Sequence, residues 1–241
     1  MASVDLSRRS FEAELMDGPG IGFDEFERCL RELERINVWT FAYRPTLAWL
    51  DRLVRRRPPG YAPDRPLRIL DAGCGGGDML RRIAGWARRR GLAVELTGAD
   101  LSPWSARAAG RATPPDLAIR YLTADVFDLP AAERWDVVVC ALFAHHLDDG
   151  ALVRFLSWMD GRAEQGWFVN DLHRHPAAHA FARAMVASFP VGRLVAHDAP
   201  LSVARAFTRA DWMRLLAAAG LEGRARVEWF TPFRLCVGRV R

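Results

Sequence analysis

The residues of this sequence best suited to chemistry are three carboxylates at the ends of apolar runs and a loop of glycines. In Leu67-Arg68-Ile69-Leu70-Asp71-Ala72-Gly73-Cys74-Gly75-Gly76-Gly77-Asp78, an apolar segment enters Asp71 and glycines recur at Gly73, Gly75 and Gly77. Glycine has no Cβ, so the backbone there can turn sharply and pass close to a bound molecule. The spacing is D-x-G-x-G-x-G rather than the G-x-G-x-x-G of a dinucleotide loop, and Asp78 stands where the third glycine of that pattern would be. A carboxylate at this point is a poor neighbour for a pyrophosphate and a good acceptor for a cationic amino acid. The run Val94 to Ala99 then leads into Asp100, placed to bind a ribose diol. Together these features suit a cationic nucleoside.

Positioning such residues requires an alternating chain. Strands are expected at Leu67–Asp71, Val94–Asp100, Ala118–Thr123, Asp136–Leu142 and Gln165–Asp171, with helices at Met79–Arg90, Pro103–Arg111 and Gly150–Met159. Continuous apolar strands separated by helices indicate a parallel sheet covered on both faces. The rhythm changes at the end, where Glu222–Trp229 and Phe233–Val240 flank Thr231-Pro232 as a hairpin. The expected fold is therefore α/β, a doubly wound, mostly parallel seven-stranded sheet with a C-terminal antiparallel hairpin.

Two stretches lie outside this core pattern. After the turn Asp17-Gly18-Pro19-Gly20, the segment Phe23 to Val54 carries apolar residues at helical spacing, and Pro45 suits the opening of a second helix. Arg57-Pro58-Pro59-Gly60 ends that section. Between Asp171 and Phe207 lies an insertion with a helix at Ala177–Phe189 and a mixture of loop and short helix beyond it. It is apolar and rich in histidine (His173, His175, His179, His197), and it follows a strand whose carboxyl end faces the ligand side of such sheets. That composition suits an uncharged or aromatic acceptor more than a polyanion.

Length and composition set the bounds. The chain has 241 residues, room for one domain with an appendage. The net charge of +5 attracts phosphate in principle, but all 34 basic residues are Arg, and no aromatic-basic interleaving accompanies them. That argues against a nucleic-acid partner. No apolar run approaches the roughly 18–20 residues of a membrane span, and Met1-Ala2-Ser3-Val4-Asp5 lacks the layout of a secretory leader. Cys29, Cys74, Cys140 and Cys236 are widely spaced, as expected of reduced thiols in a cytoplasmic protein. Nothing in the sequence specifies an oligomeric state.

The ordered set of landmarks resembles the class I S-adenosylmethionine-dependent methyltransferases, in their ubiquinone-biosynthesis-like and secondary-metabolite branch. Ala124-Asp125-Val126-Phe127-Asp128-Leu129-Pro130 follows the third strand, where that family places an acid against the adenine. Trp135 to Leu147 is similar to the fourth strand and its H-H-L exit, and Ala206-Phe207-Thr208 through Ala219-Gly220-Leu221 to the helix before the terminal hairpin. The resemblance covers Leu67 to Arg241. It implies S-adenosylmethionine as cofactor, with Asp71, Gly73 and Gly75 near the methionine moiety, Asp100 on the ribose and Asp125 near the adenine. Leu101, Val126 and Ala141 lie beside them. It further implies an N-terminal helical lid over residues 1–63 and a cofactor-binding domain over 64–241, with residues 172–207 walling the acceptor pocket. Arg44 is then placed to pair with the methionine carboxylate, and Trp39 and Tyr43 to cover the sulfonium by cation–π attraction.

Methyl transfer from a sulfonium is an in-line displacement, so holding donor and acceptor together is most of the work. A hydroxyl acceptor must also lose a proton, and His is the usual base near neutral pH. His145 and His146 leave the fourth strand and His173 leaves the fifth, which makes His145 and His173 the catalytic candidates. If the chain is extended at His145-His146, only one of that pair faces the cleft. Asp171, His173 and His175 have a spacing that could hold a metal, but the fourth strand lacks the carboxylates of the metal-dependent relatives, and no metal is expected. The activity expected is O-methylation of a small hydrophobic hydroxylated metabolite, a phenol or polyketide-like ring. C- or N-methylation, RNA methylation and a non-catalytic S-adenosylmethionine-binding role stay open as alternatives. The Asn/Asp-Pro-Pro-Tyr/Phe and Pro-Cys markers of base-directed enzymes are missing.

Overall fold

The computed structural model describes residues 4–56 and 65–241. The Arg57-Pro58-Pro59-Gly60 break and the lid boundary at Pro63 lie outside the described residues. In chain order the elements are α1 (Phe23–Trp39), α2 (Arg44–Arg55), β1 (Leu67–Ala72), α3 (Asp78–Arg89), β2 (Val94–Asp100), α4 (Ser105–Ala112) and β3 (Ile119–Thr123). There follow β4 (Trp135–Ala141), α5 (Asp149–Arg162), β5 (Ala163–Leu172), α6 (Pro176–Ser188), α7 (Arg193–Arg205), α8 (Arg209–Ala218), β6 (Arg226–Phe230) and β7 (Arg234–Val240). The strands form a seven-stranded sheet in the order β3-β2-β1-β4-β5-β7-β6. β1 to β5 run parallel, and β7 is antiparallel to both β5 and β6. The expected doubly wound sheet with its terminal hairpin is the one observed.

Burial explains why the central strands read as unbroken apolar runs. Ile69, Leu70, Val137, Val138 and Val139 are fully buried because helices cover both faces of the sheet. On one face Phe155, Leu156 and Met159 of α5 pack with Trp212 and Leu215 of α8 against Val138 and Trp167. On the other, Trp49, Leu50 and Leu53 of α2 join Ile83 and Trp86 of α3 over Ile69 and Phe168. This divides the N-terminal stretch expected to form one lid. α2 is a layer of the core, whereas α1 and the residues before it border the cavity described below.

α7 is longer than the loop and short helix expected there, because Pro200 inside it interrupts the usual helical signal. Tertiary bonds hold it in place: buried Asp198 accepts from Leu15 N–H at 2.8 Å and Met16 N–H at 3.0 Å. At the other end of the chain, Thr208 and Asp211 form a reciprocal capping box that starts α8. Among the described residues no helix is long and apolar enough to cross a membrane.

Two local constraints are open to test. Gly77 has φ +70°, and an added Cβ would run into the Tyr121 ring, 2.7 Å from its nearest ring carbon in the present geometry. Gly77→Ala is therefore expected to lower unfolding free energy by about 1–3 kcal/mol, the range for a strained left-handed residue, read by urea denaturation. Buried Asp136, at the start of β4, is bound by Arg65 at 2.6 and 3.1 Å, by Arg68 N–H at 2.8 Å and by Gln165 Nε2 at 2.7 Å. Burial alone would raise its pKa, but these bonds outweigh it and hold the carboxyl below the ordinary carboxylate range. A folded-state pKa that is depressed gives stability above the unfolded pKa, lost as pH falls through the folded one. Asp136→Asn should thus be less stable than wild type at neutral pH, and the gap should close on acidification.

Candidate active site

A cavity of about 1010 Å³ opens across the carboxyl ends of the parallel strands. This is the side on which open α/β sheets hold ligands, where the strand order reverses between β1 and β4. Its volume is at the upper end for small-molecule sites.

The glycine loop forms one wall. Gly73 (φ +72°) and Gly75 (φ +49°) occupy the left-handed region, and a Cβ at Gly73 would fall 2.5 Å from the Phe143 ring. Gly75 N–H donates to Asp100 Oδ2 at 2.8 Å, and Ser102 N–H donates to Asp100 Oδ1 at 2.9 Å. Asp100 thereby ties the loop to the end of β2, and each of its oxygens retains acceptor capacity for a ligand hydroxyl. Asp71 is buried, lines the cavity, and its Oδ1 has no hydrogen-bond partner among the described residues. Burial, reinforced by the charges of Asp78 and Asp100, raises its pKa well above the ordinary carboxylate value. An unpartnered buried carboxyl in a cavity is a site for a cationic group such as a ligand ammonium.

Beyond β3, Asp125 caps a short turn over Val126–Asp128 by accepting from Phe127 N–H at 2.9 Å. The structure therefore brings Asp71, Gly73, Gly75, Asp100, Leu101, Asp125, Val126 and Ala141 to one cavity. It does not bring Arg44 there. Arg44 is exposed in the first turn of α2, over the Phe41 ring at 5.7 Å, because the buried face of that helix is committed to the sheet. Trp39 is likewise outside, stacked at 5.8 Å on Phe181 of α6. Tyr43 does line the cavity, and its hydroxyl donates to Asp78 Oδ2 at 2.7 Å.

The histidine wall differs from the expected arrangement. Ala144–His146 is one turn of 3₁₀ helix rather than an extended segment. His145 and His146 consequently both line the cavity, with ring centroids 4.5 Å apart. Asp171 Oδ1 lies 2.7 Å from His145 Nδ1, and the same carboxylate accepts from the backbone N–H of His145 at 3.1 Å and of Leu172 at 2.7 Å. Burial pushes the Asp171 pKa up, but His145 and these bonds hold it below the ordinary value. A carboxylate so placed holds a proton on Nδ1 and leaves Nε2 as the other ring nitrogen facing the cavity side. That nitrogen points at Glu14, 3.6 Å from Oε1.

Glu14 was not legible as a site residue in the sequence, since no pattern surrounds it. In the fold it is buried, accepts from Ser202 Oγ at 2.9 Å, and faces His146 Nε2 at 3.7 Å. Asp17 binds His146 Nδ1 at 2.8 Å. The ligating atoms of Glu14, His145 and His146 lie within 4.8 Å of one another, with the guanidinium of Arg205 3.6 Å from the same carboxylate. Asp171, His173 and His175 form no such group among the described residues, Asp171 being committed to His145. His173 is not on the cavity wall. Its N–H pairs with Phe233 O and its ring faces His175 at 5.4 Å, because the chain has already turned away from the sheet toward α6.

Comparison with known proteins agrees with this geometry. Residues 69–166, from β1 into β5, match the family described as methyltransferase domain. A ubiquinone biosynthesis O-methyltransferase of Stutzerimonas stutzeri is 31% identical over 119 residues, covering 48% of this chain and 48% of that protein. The chain thus matches about half the length of such curated relatives. The plantazolicin methyltransferase BpumL, solved with SAH, aligns with a TM-score of 0.63 at 14% identity, over 90% of this chain and 88% of its own. Magnesium protoporphyrin IX methyltransferase from Synechocystis PCC 6803, also with SAH, aligns with a TM-score of 0.53 at 16% identity, over 94% and 90%. Residues 69–166 are thus a methyltransferase domain, and the chain has the fold of the class I S-adenosylmethionine-dependent methyltransferases. The cofactor of that class is S-adenosylmethionine, and the orphaned Asp71 oxygen fits its cationic amino-acid end.

Asp100→Ala is expected to weaken SAH binding by about 10–100-fold, corresponding to a lost charge-assisted hydrogen bond of about 1.5–3 kcal/mol. Titration calorimetry giving wild-type affinity for this variant would show that the ribose is held elsewhere.

Proposed function

We propose that this protein transfers a methyl group from S-adenosylmethionine to the hydroxyl of a small hydrophobic metabolite, a phenol or polyketide-like ring. The observation that carries this reading is the Asp171–His145 pair on the wall of the same cavity as the glycine loop. The cofactor supplies an electrophilic methyl group when bound. Asp71 binds the ammonium of its methionine end, and Asp100 and Asp125 bind ribose and adenine. Apolar residues of the insertion, including Leu172, Phe181 and Met185, wall the acceptor end and exclude water. His145, with Nδ1 held by Asp171, takes the acceptor proton at Nε2, and Glu14 stabilises the resulting imidazolium from 3.6 Å.

Supporting the choice of a small acceptor are the methyltransferases of plantazolicin, magnesium protoporphyrin IX and ubiquinone biosynthesis that this chain resembles. The described cysteines are free and buried, and burial chiefly pushes the Cys29 thiol up to about 12, which suits the reducing cytoplasm.

The test is turnover of labelled cofactor against phenols, amines and tRNA. Phenols should be methylated, His145→Ala should lower that rate by about 10²–10⁴-fold with SAH affinity unchanged, and His173→Ala should stay near wild type. Methylation confined to amines or RNA, or an undiminished rate in His145→Ala, would refute the assignment.

A further inference from the structure

Arg234 opens β7, opposite Leu172 of β5 in the antiparallel register, and lines the cavity. It is 4% exposed, and its Nη1 has no hydrogen-bond partner among the described residues. Asp171 on the neighbouring strand β5, whose charge acts on Arg234, is taken up by His145 and by the backbone of Leu172. A buried guanidinium nitrogen without an acceptor is costly. Burial also acts on Arg234 by lowering its pKa, with Cys236, Asp171 and Tyr43 opposing only in part.

Three other buried arginines show how this chain treats the same side chain elsewhere. Arg9 binds Asp149 at 2.7 Å and the carbonyls of Arg205 and Leu147. Arg174 binds Asp211 at 2.5 Å and the carbonyls of Leu6 and Ala206. Arg205 donates to the carbonyls of Glu12, His145 and His146. Each has its acceptors supplied from within. At Arg234 the guanidinium lines the cavity instead, where a bound molecule can supply its acceptor.

The sheet order separates the two ligands. β7 stands three strands from β1, or about 14 Å at the usual strand spacing. The glycine loop and Asp71 hold the donor's amino-acid end at β1, whereas Arg234 and the Asp171–His145 pair both lie at the carboxyl end of β5. A planar guanidinium matches a carboxylate with two parallel hydrogen bonds.

We propose that Arg234 anchors a carboxylate of the methyl acceptor, which makes the acceptor class a hydroxylated aromatic or polyketide-like acid. This rests on the methyl-transfer reading for the acceptor's role, while the test reads carboxylate binding whether or not a methyl group moves. The full chain saturated with SAH is titrated by calorimetry with a panel of hydroxybenzoates, salicylate included, and with the matching neutral phenols. At least one acid should bind about 10–100-fold more tightly than its phenol, the size of a charge-assisted pair. Arg234→Met should abolish that preference, leave SAH affinity unchanged and raise the melting temperature, because it removes an unpaired buried charge. Arg234→Lys should retain part of the preference. Acids and phenols binding alike to the wild type, or no acid binding at all, would overturn the proposal. So would Arg234→Met weakening SAH, which would assign the guanidinium to the donor, or Arg234→Met unfolding while Arg234→Lys is stable and shows no preference for acids.

Discussion

The cleft exists because β1 and β4 are neighbours whose following segments diverge. From β1 the chain proceeds outward through β2 and β3, and from β4 it proceeds the other way through β5 to the hairpin. At that reversal no crossover helix can close over the strand ends, so a gap is left between the glycine loop after β1 and the histidine turn after β4. Every group assigned to chemistry is delivered to this gap by a strand end or by a segment folded across it. The glycines serve the same geometry: at Gly73 the left-handed backbone and the Phe143 ring 2.5 Å from an added Cβ leave no space for a side chain.

Charge is distributed unevenly around the gap. Among the described residues, Asp71, Ser105 and Arg234 line the cavity with a buried atom each that has no hydrogen-bond partner. The Asp171 carboxylate collects three donors at the β4 exit, and Glu14 faces two imidazoles and a guanidinium. Low polarity strengthens such networks when complete and penalises an unpaired member.

The N-terminal segment completes the wall by polar fastening as well as by apolar packing of Leu15, Met16 and Cys29 with Leu194 and Val195. Arg9 and Arg205 reach across to the carbonyls of the histidine turn, and Asp198 takes the backbone N–H groups of Leu15 and Met16. α2, although adjacent in sequence, is built into the core through Trp49 and Leu50. Neighbouring stretches of one helical pattern thus have different mechanical roles, because one amphipathic face meets the sheet and the other meets the cavity.

The sheet, its reversal and the cofactor loop were legible in the residues themselves. Buried parallel strands must be continuously apolar, a tight left-handed turn must be glycine, and an acid ending such a strand marks the ligand side. Asp71 and Asp100 followed from those local rules, and Asp125 from the family resemblance. The histidine turn did not, since three residues in 3₁₀ form carry no periodic signal, and the assumption of an extended chain placed only one ring in the cleft. His173 and Arg44 sat at promising positions along the chain, yet packing of α6 and α2 turned both away from the cavity. Glu14 and Arg234 emerged only in three dimensions. Each is a single charged residue whose meaning depends on what surrounds it, and contacts between residue 14 and residues 145 and 202, or between the hairpin and β5, are set by tertiary packing that no local pattern encodes.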